Sequence, residues 1–292
     1  MVVYHDIVLG KGSSSVVYAG LYRGAHVAIK MVTEDWADGE GGAAQLKLFT
    51  QEVVLLSEVR HTNIVTLYGA CLRPPYVFLV EERMVMTLSE LLHGPDSARL
   101  TVKQALGIAL DIARGLQHLH SRVPAIIHRD LKPENVLLDA AGVAKISDFG
   151  LARCQYTSCV NTTRRDAGTL IYMAPECFDP ALGKLTDRAD VFSLAVCLWE
   201  LMVRRKPWQG VQVYDFLQRM LLEEARLPLP TNDEVCPLAL RRLIARCWDS
   251  APACRPSSSE VVTELQRIHH YWAPDTAATP LTLTSPLLAT RL

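Results

Sequence analysis

The run His128-Arg129-Asp130-Leu131-Lys132-Pro133-Glu134-Asn135 sets acids, a lysine and an amide between two apolar stretches, Ile126-Ile127 and Val136-Leu137-Leu138. Polar side chains flanked by buried strands belong on a loop held by a rigid core, where reactive groups usually sit. Thirteen positions past Asn135 comes Asp148-Phe149-Gly150, behind another short strand-like run at 143–146. Asp130, Lys132, Asn135 and Asp148 together offer oxygen donors and a cation, a set suited to Mg²⁺ and phosphate. Upstream, Gly10-Lys11-Gly12-Ser13-Ser14-Ser15 lies between two strand-like runs. Glycines there let backbone amides approach phosphate oxygens with no Cβ in the way, although a plain hairpin turn reads the same residues equally well. Val27-Ala28-Ile29-Lys30 puts a lysine in an apolar strand, and Glu52 sits one helical turn from Phe49 and Leu56, on the apolar stripe of its helix. A buried carboxylate needs a partner, and Lys30 is the candidate.

The elements that must position these groups follow from periodicity. Residues 7–9, 16–20 and 26–30 are short β-branched runs separated by glycine-bearing turns, the pattern of an antiparallel meander. The glycine-dense stretch 33–42 is expected to be a loop. From 44 to 60 the spacing becomes helical, with Leu46, Phe49, Val53 and Leu56 on one stripe, and strands are expected at 64–68 and 76–80. Thr101 followed by Gln104 forms a capping box ahead of a helical run that Pro124 must stop. Further helices are expected over 187–203, 213–224, 238–248 and 258–270. A small β-rich part therefore precedes a larger helical one, and the fold class is α+β with two lobes. The first lobe spans about 1–82 and the second about 88–272 of a single domain over 1–272, with the cleft between them the natural ligand site. The Thr- and Pro-rich tail 273–292 has little periodicity and is expected to be disordered.

Composition limits the alternatives. The 292-residue chain is 49% hydrophobic and 21% charged, the balance of a folded soluble protein rather than a disordered one. A formal charge of −1 gives no electrostatic footprint for nucleic acid or an anionic membrane surface. The longest apolar stretch, 191–203, is broken by Ser193 and Glu200 and is shorter than the roughly 18 residues of a spanning helix, so no membrane insertion is expected. Eight scattered cysteines without a C-x-x-C pair, and no secretory signal in the first ten residues, point to reduced thiols and a cytoplasmic location.

Over roughly residues 6–271 the chain resembles the eukaryotic protein kinases, whose signature motifs match those above. The resemblance implies a protein kinase using ATP and Mg²⁺. The loop Gly10-Lys11-Gly12-Ser13-Ser14-Ser15 would cover the phosphates, with Ser15 in place of a third glycine. Lys30 would hold the α- and β-phosphates, with Glu52 positioning it. Asp130 would orient the substrate hydroxyl and accept its proton, Lys132 would steady the γ-phosphate, and Asn135 and Asp148 would hold the metal. Val17, Ala28 and Leu137 match the positions that sandwich adenine. Leu56, Leu67, His128 and Phe149 match an internal stack, the regulatory spine. Asp190 should anchor the catalytic loop, and Glu176 of Ala174-Pro175-Glu176 should pair with Arg255.

Lys132 and the segment Gly168-Thr169-Leu170-Ile171-Tyr172-Met173 resemble the serine/threonine type. Arg60-His61-Thr62-Asn63-Ile64-Val65, Tyr68-Gly69-Ala70-Cys71 and Cys247-Trp248 are similar to the tyrosine-kinase-like group, which includes mixed-lineage and Raf-like kinases. Protein substrates bearing Ser or Thr are implied, as is an upstream activating kinase acting on Thr162 or Thr163; the alternatives are dual specificity and a pseudokinase scaffold. The hinge admits two registers. One makes Glu81 the gatekeeper and gives Glu82 and Met84 the adenine-reading positions, at the cost of a one-residue deletion before Leu88; the other makes Val80 the gatekeeper.

Overall fold

Alternating β-branched residues with tight turns require a meander, and a two-residue turn with both residues at positive φ matches the twist of paired strands. Arg23 and Gly24, at φ 52° and 83°, form such a turn between β2 (Ser15–Tyr22) and β3 (Ala25–Val32). The computed structural model describes residues 1–12, 15–32, 40–73, 76–95, 100–149, 152–154, 167–272 and 281–283. In it, β1 (Val2–Lys11) pairs with β2, while β5 (Tyr76–Glu82) and β4 (Leu67–Arg73) complete an antiparallel sheet of order β1-β2-β3-β5-β4.

Helix α1 (Glu40–Glu58) packs on this sheet, with Phe49 against Val77 and Leu79 and with Leu56 in the main core. The loop expected over 33–42 is thus shorter at its end, because the helix begins at Glu40 and contains Gly41 and Gly42. Each glycine costs a helix about 1 kcal/mol, which the tertiary packing of the apolar stripe further along offsets. The strand expected at 64–68 is also displaced. Ile64 makes only an isolated bridge to Ile146, and Val65 N donates to Ile146 O at 2.9 Å. Asn63 Nδ2 donates to Ala144 O at 3.0 Å, so this run joins the two lobes and the strand proper starts at Leu67.

The second lobe is helical: α2 (Leu88–His93), α3 (Val102–His120), the short α4 (Ala167–Leu170), α5 (Arg188–Val203), α6 (Val213–Leu222), α7 (Leu238–Cys247) and α8 (Ser258–Trp272). The box on α3 is formed as expected, with Gln104 N donating to Thr101 Oγ1 at 3.2 Å and Thr101 N to Gln104 Oε1 at 2.9 Å. The apolar run in α5 is buried on every side from Ala189 to Met202, a core helix. Among the described residues no helix is long and apolar enough to cross a membrane. Three short strands, β6 (Met86–Thr87), β8 (Val136–Leu138) and β9 (Ala144–Ile146), form a second sheet under the cleft, and β7 (Ile126–Ile127) pairs with β10 (Arg153–Cys154).

Within the tail expected to be disordered, residues 281–283 are docked. Leu283 is buried in the main core and its N–H donates to Ala140 O at 3.1 Å. Leu281 covers Gly142, which lies at φ +76°, and a Cβ there would come within 2.9 Å of the Leu281 carbonyl oxygen. These two leucines of the tail cover the β8–β9 turn. Leu283→Ala is expected to cost about 2 kcal/mol. A urea melt measures it, and an unchanged midpoint would show that the tail does not dock in solution.

Candidate active site

Strand alternation aims the first group. In β3, Val27 and Ile29 are fully buried on one face, so Ala28 and Lys30 point to the other. Lys30 Nζ lies 2.9 and 3.1 Å from the two carboxylate oxygens of the buried Glu52 and 3.1 Å from Asp148 Oδ1. Burial alone would depress the lysine, but the carboxylates of Asp148, Glu52 and Glu81 more than reverse this and hold it charged.

The catalytic loop is fixed from below by Asp190, fully buried in α5. Its carboxylate accepts from His128 N and Arg129 N, each at 2.8 Å, and bonds His120 Nε2 at 2.9 Å. Burial pushes this carboxyl up, yet His120, His128 and the Arg129 amide bring it below the usual range. Two successive amides aimed at one carboxylate turn the chain sharply, and Arg129 adopts φ +67°. Asp148, the other positive-φ residue of the site at +60°, is similarly constrained.

Above this anchor, Asn135 Nδ2 donates to Asp130 O at 2.8 Å and to Asp130 Oδ2 at 2.9 Å. Lys132 Nζ lies 3.6 Å from Asp130 Oδ2 and donates to Thr169 Oγ1 at 2.6 Å. His128 Nδ1 accepts from Asp130 N at 3.3 Å, so Nε2 is the protonated nitrogen and donates to Ser147 O at 2.9 Å. The Phe149 ring stands edge-on to His128 with centroids 5.1 Å apart, and Leu56 and Leu67 belong to the same extended core as Phe149. Glu176 and Arg255 form a fully buried two-pronged ion pair at 2.6 and 2.8 Å.

The walls of the cleft are equally specific. Val136 and Leu138 are fully buried while Leu137 between them is not, so Leu137 faces the cleft from below as Val17 and Ala28 do from above. Gly10 and Lys11 end β1 opposite Val17 and Val16, and Gly12 N donates to Ser15 O at 2.8 Å. Among the described residues, apart from its chain neighbours, no atom lies within 4 Å of where a Gly10 Cβ would sit. Ser13 and Ser14 lie outside the described residues, as do Thr157, Ser158, Thr162, Thr163 and Asp166 of the segment expected to carry the activating phosphate.

At the hinge, the β3–β5 register pairs Ala28 with Glu81 and Ile29 with Val80. Glu81 therefore shares the face of Ala28 and Lys30, whereas Val80 is buried with Val27 and Ile29 on the opposite side. Burial, together with Glu52, Asp148 and Glu82 and against Lys30, leaves the Glu81 carboxyl pushed up to about 7. The Glu82 side chain is occupied, accepting from Thr66 N and Lys145 Nζ, both at 2.7 Å, which leaves its main chain for a ligand. Met84 is half-buried just before Val85, whose N–H donates to Leu138 O at 2.8 Å. His120, Lys145 and Ser147 support the site without any local sequence signal, since each acts across the fold.

The residues of this chain resemble the protein tyrosine and serine/threonine kinase family model over positions 3–265. The chain is 36% identical over 261 residues to the serine/threonine/tyrosine-protein kinase HT1 of Arabidopsis thaliana, covering 88% of this chain and 64% of that one. It is 34% identical to the serine/threonine-protein kinase STY17 of the same plant (88% and 43%) and 36% identical to mitogen-activated protein kinase kinase kinase 7 of Bos taurus (91% and 43%). With a cleft between a β lobe and a helical lobe, this is a protein kinase domain, and the chain belongs to the protein tyrosine and serine/threonine kinase family. The family uses ATP with a divalent metal. The chain spans from 16% to 64% of the length of the curated relatives it matches.

The donor set fits such a metal. Asn135 and the half-exposed Asp148 offer hard oxygen ligands, and among the described residues no group of three or more His, Cys, Asp or Glu could hold an ion. One carboxylate plus one amide suits Mg²⁺, which keeps waters and takes phosphate oxygens for its remaining positions.

Proposed function

We propose that the chain transfers the γ-phosphoryl group of Mg-ATP to serine and threonine hydroxyls of protein substrates. The observation that carries this reading is the hydrogen-bonded set Asp130, Asn135, Lys132 and Thr169 facing the Lys30–Glu52–Asp148 group. In this reading Asp130 orients the incoming hydroxyl and takes its proton as the new O–P bond forms and the bond to the leaving diphosphate breaks. Lys30, held charged by its acidic neighbours, offsets negative charge on the α- and β-phosphates, and Lys132 does so for the transferred group. Asn135 and Asp148 would hold Mg²⁺, which neutralises phosphate charge when bound. The base would lie between Val17 and Ala28 above and Leu137 below, with the Gly10–Gly12 backbone near the phosphates.

The Lys132–Thr169 bond supports a site suited to short hydroxyl side chains, and the relatives named serine/threonine kinases agree. Dual specificity is the second reading, favoured by the name of the HT1 relative. The six cysteines whose side chains are described are thiols rather than disulfides, which supports residence in the reducing cytoplasm. Thr162 and Thr163 are the proposed targets of an upstream kinase. The test is incubation with γ-labelled ATP and a peptide library containing Ser, Thr and Tyr. Label is expected on Ser and Thr peptides, and predominance of phosphotyrosine would overturn the serine/threonine reading.

A further inference from the structure

Glu81 is a charged residue of the cleft that the proposed chemistry leaves unused. It is half-buried and directly opposite Ala28 on the β3–β5 ladder. Directly paired residues carry their Cβ atoms on one face about 4.5–5.5 Å apart. A ring stacked on Ala28 therefore has the Glu81 side chain at its edge. Among the described residues the Glu81 carboxylate makes no hydrogen bond and no ion pair: Lys30 is taken by Glu52 and Asp148, while Thr66 and Lys145 bond Glu82. The carboxylate oxygens are not sealed from solvent, so they are open to a hydrogen bond from a ligand in the cleft. Once ionised, the carboxylate only accepts, so the ligand group it then fits is an N–H donor.

We infer that Glu81 selects the base of the nucleotide, accepting a hydrogen bond from the exocyclic 6-amino group of adenine and disfavouring purines that present a carbonyl there. This rests on the nucleotide reading given above. Adenine carries two N–H bonds at that position, so Glu81 can accept one while a hinge carbonyl accepts the other. Guanine presents an oxygen at the same place, which faces the carboxyl lone pair to lone pair. The competing account is that Glu81 acts only through its charge on Lys30. That would alter the affinity of every triphosphate by the same factor, whatever its base.

The test compares dissociation constants for ATP, GTP and the triphosphate of unsubstituted purine riboside, titrated calorimetrically at a pH well above the Glu81 value, so that the carboxylate is ionised, into the wild type, Glu81→Met and Glu81→Gln. Methionine matches the length of glutamate and removes a half-buried charge, and a melting curve on each variant checks that it folds. Glu81→Met is expected to reduce the preference for ATP over the purine riboside triphosphate by about tenfold or more, the scale of one hydrogen bond to a charged group. Glu81→Gln, which keeps a carbonyl oxygen, should retain most of that preference. A ratio unmoved by Glu81→Met, or equal shifts for all three triphosphates, overturns the inference. A wild-type chain that binds none of the three refutes the nucleotide reading itself, a separate failure.

Discussion

Asp130→Asn is expected to lower phosphoryl transfer by about 10²–10⁴-fold, the usual contribution of a positioned general base. The fold should be almost untouched. Asp130 Oδ2 accepts from Asn135 Nδ2, a bond that an asparagine oxygen at the same position can also accept, and Asp130 N remains bonded to His128 Nδ1. Turnover and melting temperature measured on one preparation separate the two effects. Undiminished turnover in a folded variant would remove Asp130 from the mechanism.

The largest stability effect is expected at Arg255. Its guanidinium binds both oxygens of Glu176 and also donates to the carbonyls of Asp249, Arg188 and Ser250. Arg255→Met strands the Glu176 carboxylate in a fully buried place, which costs about 3–5 kcal/mol. For a domain of this size that corresponds to a fall of roughly 6–20 °C in melting temperature. Adding Glu176→Gln to Arg255→Met removes the stranded charge and should restore part of the loss. A single variant that melts within about 2 °C of the wild type would mean that the pair is not desolvated in solution.

What the sequence disclosed depends on how far apart the cooperating residues lie. The catalytic loop was legible because its reactive groups are consecutive and flanked by apolar strands on both sides. The Lys30–Glu52 pair spans 22 positions but was still readable, because a carboxylate on the apolar stripe of a helix demands a cation. The faces of Val80 and Glu81 required the ladder: the two are neighbours in sequence, and the pairing with Ile29 and Ala28 shows which of them shares the face of Lys30. His120 with Asp190 and Lys145 with Glu82 are joined across 70 and 63 positions, and neither residue stands out locally. The start of α1 and the seat of Leu283 are not legible locally, for a related reason. Both oppose local composition, a pair of glycines in one case and a Thr- and Pro-rich tail in the other, and tertiary packing decides them.

The central claim is that this cleft carries out chemistry and does not merely hold a nucleotide. The most direct measurement takes one purified sample, titrates it calorimetrically with ATP with and without Mg²⁺, and then follows label transfer from γ-labelled ATP to peptide. The account predicts Mg²⁺-dependent ATP binding together with phosphoserine and phosphothreonine products, and loss of transfer but not of folding in Asp130→Asn. Saturable ATP binding with no labelled product would contradict it and identify the chain as a kinase-shaped scaffold.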